Sequence, residues 1–564
     1  MTFTLNTYDP PTVDSALTLD ISVLLQPDIC IEPLVMGWSA WPLLLAPGSL
    51  ALYLSKRLLP LLDDFVDDPS AHTELAANPG MYGGHFVCKP ETAKPAIASL
   101  AADTRQRAAD LLALADAWHQ LNQKLQSTAV GQSLNEFYAH LPSALQGLVE
   151  LVYDLNHRPA VRLFEELVAD AYPLQPFMQL YVHRISPSER DFFMCTPRMA
   201  RPQDLMLNWQ LDDPRIDTLV SLRTTPATLG DLKESLRLDT RQLEILASLC
   251  RPVPTAETEG AAQEVTMLRE GVGIGIDPGS VRVRYFGHAC ILVQTSEQSI
   301  LFDPYFSMQA NGDAHFSVHD LPQRIDWVVI SHSHHDHFSA EMLLQLRSRI
   351  GRIALPAHNA GSIADPSMKL VLQQLGFLDV VEMHPFDRIE LPGGYLQSLP
   401  FTGEHSDLDI RTKQAVYLNL LGHRAIFLVD SDGRDLHLYK RLLARVGPLD
   451  AVYIGMECVG APLNWLYGPL LGTSAKKPHA ESRRLCGADC ERAWGIVSVL
   501  NPREVYVYAM GQEPWMQYIM GLQYSPDSAQ LMEAERFIAR CKAEGIRADR
   551  LFMKAEMNYA QAKV

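Results

Sequence analysis

The stretch WVVISHSHHDHFS, Trp327 to Ser339, ends an apolar run in four histidines and one aspartate within six consecutive residues. A short apolar run of this kind reads as a strand buried in a sheet. The polar residues after it cannot pair in that sheet, so they form a loop at its C-terminal end, where a rigid support can present functional side chains. The spacing His332, His334, Asp336, His337 lets two imidazoles converge on one metal while the next carboxylate and imidazole face a second. This is a template for a dinuclear centre, and the sheet beneath it must be layered and buried.

The surrounding sequence agrees. VRVRYFGHACILVQT, SILFDPY, RIALPA, YLQSLPF, QAVYLNLL, RAIFLVD, DAVYIGM and EVYVYAM all read as strands. Helical periodicity falls between them near 339–350, 367–376, 434–446, 488–500 and 526–545. Alternating strands and helices predict an α/β fold, with helices covering the sheets. RPVPTAETEGAAQE, Arg251 to Glu264, has linker composition. We therefore expect a mixed α/β N-terminal domain over 1–255, a linker over 256–279 and the metal-binding domain over 280–564. In the first half, 104–125 has helical periodicity, and 228–249 reads as two short amphipathic helices suited to packing or dimerisation. PLVMGWSAWPLLLAPGSLALYL is interrupted by Pro42 and Pro47, so it reads as core and not as a membrane span.

Composition narrows the classes of function. With 48 basic and 66 acidic residues the net charge is −18, which argues against a general binder of nucleic acid or anionic membrane. The same acidity counts against reading 228–249 as a DNA-binding helix-turn-helix. Nine scattered cysteines, an odd number, do not resemble a disulfide framework, and a reducing cytoplasm is expected. MTFTLNTYDPP lacks the basic and apolar segments of a secretory signal.

From about Val281 onward the chain resembles the metallo-β-lactamase superfamily, an αββα sandwich with its site at one edge of two sheets. The resemblance matches ILFDPY to the strand whose aspartate, here Asp303, supports the ligand loop, and IFLVDSDG to the strand ending in a metal-bridging aspartate, here Asp430. A bridging carboxylate holds two cations close and offsets their repulsion. FTGEHSDLD occupies the place where hydrolases of the superfamily put their next histidine ligand. Here it offers Glu404 beside His405. An imidazole-rich pocket suits zinc, whereas glutamate added to two aspartates makes a harder site that suits iron. Flavin-coupled diiron members match poorly, because they carry glutamate at the position of His334 and append a domain after the sandwich.

A long N-terminal domain before the sandwich, together with Glu404, resembles the diiron β-hydroxylases of chloramphenicol and nonribosomal peptide biosynthesis. That resemblance implies an O2-dependent non-heme diiron monooxygenase. Its substrate would be an aminoacyl group held as a thioester on a peptidyl carrier protein, hydroxylated at the β-carbon. It makes His332, His334, Asp336, His337, Glu404 and Asp430 the metal ligands, with His479 of KKPHAES as the final histidine. Glu457 of YIGMECVG becomes a nearby acid beside Glu404 and Asp430, and His405 a supporting partner. It further implies two iron ions, an external reductase or ferredoxin-like donor, and a homodimer whose N-terminal domain partly covers the site. Two other readings are a dizinc thioesterase or lactonase, with His405 as ligand, and a diiron redox or oxygen sensor.

Two further segments bear on the carrier reading. SAKKPHAESRR, with Lys476, Lys477, Arg483 and Arg484, is the best basic patch for an acidic carrier. The aromatic runs NWLYGP and AMGQEPWMQYIMGLQY are candidates for an apolar pocket or for core packing.

Overall fold

The computed structural model describes residues 18–184, 190–253, 275–309, 314–358 and 361–560. Most of the expected linker, and the N-terminal segment read for a signal, lie outside the described residues. Before the linker, strand Cys250–Pro252 pairs back onto Ser22–Leu25. After it, Ser280–Gly287 enters the first of two seven-stranded sheets.

In that first sheet Val380–Met383, Ile350–Pro356, Ile325–Val329, Ser299–Phe302, Cys290–Gln294, Ser280–Gly287 and Ala555–Ala560 lie side by side in this order. The second runs Arg388–Leu391, Gly394–Leu399, Ala415–Leu420, His423–Phe427, Ala451–Gly455, Glu504–Tyr508, Arg547–Arg550. Their inner faces meet in an apolar layer where Phe302 stacks on Phe427 with ring centres 4.2 Å apart. Helices Leu436–Val446, Cys490–Leu500 and Ala529–Ala543 cover one outer face. This is the expected αββα sandwich.

Strand direction fixes where the site sits. Ser299–Phe302, Ile325–Val329 and Ile350–Pro356 are parallel, as are His423–Phe427, Ala451–Gly455 and Glu504–Tyr508. Each hairpin step to Ser280–Gly287 or Gly394–Leu399 reverses direction twice, so these strands point the same way too. All their C-terminal ends therefore open on one edge.

The N-terminal half carries a four-stranded sheet, Trp38–Ser39, Ile29–Val35, Met178–Arg184 and Leu205–Leu207, with helices Pro47–Tyr53 and Ala109–Thr128. Its core is continuous with that of the sandwich, because Trp41, Leu44 and Phe193 share one buried cluster with Phe338, Leu343 and Tyr518. PLVMGWSAWPLLL is buried along its length, as expected of core. The two short helices form at Leu229–Leu236 and Thr240–Leu249, the second held by a capping box between Asp239 and Gln242. Their leucines at 232, 236, 243 and 246 face the protein's own core. No helix among the described residues is long and apolar enough to cross a membrane.

Candidate metal centre

At that shared edge six segments converge. The Val329–Ser339 loop brings His332, His334, Asp336 and His337. Asp303, Glu404, Asp430, Glu457 and His288 follow the ends of Ser299–Phe302, Gly394–Leu399, His423–Phe427, Ala451–Gly455 and Ser280–Gly287. Left-handed backbone marks several of these turns: Asp303 at φ 36°, Glu404 at 68°, Val429 at 50° and His288 at 48°. β-branched Val429 is rarely found there, and such strain concentrates where the surrounding fold imposes a functional geometry. Glycine is required beside Asp430, since a Cβ on Gly455 would lie 2.7 Å from the Asp430 carboxylate.

Two groups of donors share a bridge. In the first, His332, His334, Glu404 and His405 bring ligand atoms together, with His334 Nδ1 2.5 Å from Glu404 Oε2 and His332 Nε2 3.8 Å from the same oxygen. In the second, His288, Asp336 and His337 meet. Asp430 Oδ2 stands between the groups, 3.6 Å from His332 Nε2 and 3.0 Å from His337 Nε2. His332 Nε2, Glu404 Oε2 and His405 Nε2 are buried without a hydrogen-bond partner. Buried polar atoms are normally paired. Three bare donors converging on one point, beside carboxylates that would repel one another, are suited to a cation.

The opposite ring atoms of the histidines are held. Asp303 accepts hydrogen bonds from Ser331 N at 2.7 Å and Ser331 Oγ at 2.6 Å, and pairs with His337 Nδ1 at 2.9 Å. Ser331 Oγ also reaches His332 Nδ1 at 2.9 Å, and Tyr467 OH reaches His334 Nε2 at 2.9 Å. His405 Nδ1 donates to the Gly403 carbonyl at 3.2 Å. Each contact orients a ring and frees its other nitrogen. His335, the remaining histidine of the motif, turns away, bonding Ile519 O at 3.0 Å and packing against Trp41 and Phe193 of the N-terminal half.

Burial sets the charge states. It pushes the imidazoles of His332 and His405 well below the usual value, and that of His334 down to about 4, so all three are neutral donors near neutrality. It pushes the carboxyl of Glu404 well up, helped by Asp430 and Asp336, and that of Glu457 likewise with the same carboxylates and Glu404 adding. Burial also works against the charge of Asp336, yet His337 and a hydrogen bond from His288 overcome it and hold that carboxylate ionised.

The structure brings His332, His334, Asp336, His337, Glu404 and Asp430 together, with Glu457 alongside. It does not bring His479 there. Pro478 opens the short helix Lys477–Ser482, in which Ala480 alone is buried, and His479 stands exposed on a surface groove. With two lysines before it, this segment gains more from solvent than from burial.

His288, which the sequence reading missed, lies beside Asp336 and His337. Its Nδ1 accepts from Gly511 N–H at 3.0 Å, so in the neutral ring the proton is on Nε2, which lies 3.1 Å from Asp336 Oδ2. A ring with this tautomer steadies Asp336 and does not coordinate. Substituting His288→Gln keeps an N–H donor at that place and should retain both metals. His288→Ala should weaken the second metal about 10- to 100-fold in a metal titration. Equal loss in both variants would make His288 a ligand.

A third group, Cys30, Glu32 and His183, lies elsewhere, in the N-terminal half. Arg198 and Arg190 already neutralise Glu32 at 3.0 and 3.2 Å, so a cation there would face two guanidiniums.

The model of a diiron non-heme beta-hydroxylase N-terminal domain matches residues 24–254, and that of a beta-lactamase superfamily domain matches 282–391. The 4-amino-L-phenylalanyl-[CmlP-peptidyl-carrier-protein] 3-hydroxylase of Streptomyces venezuelae is 32% identical over 536 residues, covering 94% of this chain and 98% of the relative. A UPF0173 protein of Pyrococcus abyssi is 25% identical over 241 residues, 40% of this chain and 98% of its own. The crystal structure of CmlA, a diiron beta-hydroxylase from Streptomyces venezuelae, superposes with a TM-score of 0.86 at 30% identity, covering 95% of this chain and 99% of that one.

Proposed function

This chain belongs to the diiron non-heme β-hydroxylases, and on that premise we propose that it hydroxylates the β-carbon of an amino acid tethered to a peptidyl carrier protein. The observation that carries the reading is the relative's named activity on a carrier-held aminoacyl group, shared along nearly the whole of both chains. Two irons with dioxygen supply the C–H chemistry that side chains cannot.

The chain's own part is to hold, orient and exclude. His332 Nε2, His334 Nδ1 and Glu404 would hold one iron, Asp336 and His337 the other, with Asp430 between them. The bare buried atoms of His332 and Glu404 fit this assignment, and the equally bare Nε2 of His405 is the donor that competes with Glu404 for the same place. Bound cations would displace any proton from the three carboxylates among these six ligands, which would then offset most of the charge of two ferrous ions, as a hard-donor site requires. Asp303, Ser331 and Tyr467 fix the rings, and His288 fixes Asp336. Glu457, following the end of Ala451–Gly455, is a further acid placed alongside these ligands. Trp41 and Phe193, packed on His335, are the means by which the N-terminal domain would cover the loop and keep water out.

Repeated turnover needs electrons from outside, so the reading includes a reductase or ferredoxin-like donor. It also includes a homodimer, which sedimentation would measure, and a reducing cytoplasm, which suits nine free thiols.

The test expresses the protein with iron and zinc both present, then assays aminoacyl carrier protein. About two irons per chain, a near-ultraviolet charge-transfer band that bleaches on reduction, and one oxygen added to the carrier-held amino acid are expected. Two zincs, a featureless spectrum and simple thioester hydrolysis would replace this reading with the dizinc hydrolase.

A further inference from the structure

A cleft of about 1060 Å³ runs between the N-terminal half and the sandwich. On one side it is lined by Trp118, the Val152–Asp154 turn and Arg162. On the other it is lined by Arg411, Leu463 and the 471–476 loop with Lys476, then Arg483. Four Lys or Arg side chains face two acids, Asp154 and Asp409, reversing the balance of a chain with 66 acidic and 48 basic residues. Both acids are engaged. Asp154 accepts from the backbone N–H groups of Asn156 and Arg158 at 2.8 Å, and Asp409 binds the Arg411 guanidinium at 3.0 Å. Among the described residues Arg162 pairs with the Glu150 carboxylate at a distant 3.9 Å, and at 61% exposure its charge is open to a ligand.

The walls of the cleft adjoin the metal centre. Arg483 Nε donates to the carbonyl of Ser406, next to His405, at 2.8 Å. Leu463 stands one helical turn before Tyr467, whose hydroxyl holds His334. A second hollow of about 570 Å³ shares Arg162 and Arg411 with the first and continues to Phe401 and Lys413. Lys413 Nζ donates to Gly403 O at 3.3 Å, directly before Glu404. A cationic mouth thus opens onto walls that are the outer layer of the candidate site.

We propose that this cleft seats the phosphopantetheine arm of the carrier, with the arm's phosphodiester among Arg162, Arg411, Lys476 and Arg483 and its thioester end directed at the metals. The proposal rests on the carrier-bound substrate proposed above. A phosphodiester carries one fixed negative charge at the root of a flexible apolar and amide chain. Guanidinium forks and a lysine at the mouth recognise that anion, while the partly exposed Tyr153, Leu471 and Ala475 of the cleft accept the chain behind it.

The test uses the full-length protein and a fluorescently labelled peptidyl carrier protein with and without its arm. The double variant Arg162→Glu, Lys476→Glu should weaken binding of the arm-bearing carrier at least about tenfold, the effect of losing one good charged contact. Lys477→Glu, the same charge change one residue outside the cleft, should bind as the parent does, and iron content should stay the same in all. In competition, phosphopantetheine should displace the carrier better than pantetheine from the parent protein and no better from the double variant. The proposal is overturned if the parent does not prefer the arm-bearing carrier, if the double variant binds as the parent does, or if Lys477→Glu weakens binding equally. Cleft-dependent binding with no oxygen added to the loaded amino acid would support the cleft and overturn the hydroxylase reading instead.

Discussion

Glu404→Ala should leave the protein folded but unable to keep one of its two irons, with turnover falling by more than 100-fold. Removing a group that only steadies a ligand typically costs 10- to 100-fold in metal affinity, and a ligand lost outright exceeds that. Glu404 Oε2 lies 2.5 Å from His334 Nδ1 without hydrogen-bond geometry, so both lone pairs face a common point. His405 also presents a bare nitrogen there, and the pair of variants separates the two roles. His405→Ala should retain both irons, while Glu404→Ala loses one. Elemental analysis after equilibration with a competing chelator reads this without any activity assay. The opposite pattern, with iron lost in His405→Ala and kept in Glu404→Ala, would make the centre imidazole-rich and return it to the zinc hydrolases.

Much of this centre was legible in the sequence because one geometric rule generates it. Asp303, His332, Glu404, Asp430 and Glu457 each follow an apolar strand, and apolar strands are the easiest elements to read from pattern. His288 obeys the same rule, in the turn between two apolar strands read as one run, VRVRYFGHACILVQT. Its contribution depends on Ser280–Gly287 pointing the same way as Ser299–Phe302 two positions across the sheet. Pairing direction is a long-range property that a local pattern does not carry. His479 shows the converse, since residue type suggested a ligand while the solvated, lysine-rich helix around it kept it outside.

Edge strands were lost for a related reason. Arg547–Arg550 reads RADR and Ala555–Ala560 alternates half-buried with exposed residues, so neither presents an apolar run. The periodic segment 104–125 spans two helices, Lys94–Arg107 and Ala109–Thr128, which break at Ala108 with ψ 21° and no proline or glycine to signal it.

The largest loss of stability should come from a residue that touches no metal. Glu32 is buried in the N-terminal half, and its carboxylate takes Arg198 Nε at 3.0 and 3.1 Å and Arg190 at 3.2 Å. Arg190 continues to Glu341 at 2.8 and 3.2 Å and lies 3.6 Å over the Tyr518 ring, whose hydroxyl meets Tyr305 at 2.6 Å. Glu341 belongs to helix Ala340–Leu346, which starts where the metal loop ends, so the network ties the two halves at the base of that loop. Glu32→Ala leaves two guanidiniums buried, with Glu341 still paired to Arg190 but Arg198 stripped of its carboxylate. Breaking a buried pair on one side costs about 3–5 kcal/mol, whereas the exposed pair Arg352–Asp379 is worth about 1 kcal/mol or less. Denaturant unfolding should therefore show a large fall in midpoint for Glu32→Ala and almost none for Arg352→Ala. The pH dependence follows the same group. Burial pushes the Glu32 carboxyl up, but Arg198 and Arg190 hold it well below the usual range, so its stabilisation is present above the ordinary carboxylate value and is lost as pH falls below it. Relative to Glu32→Ala, the parent protein should accordingly lose its advantage in acid. If both variants unfold at the parent's midpoint, this network contributes nothing to holding the N-terminal half on the metal loop.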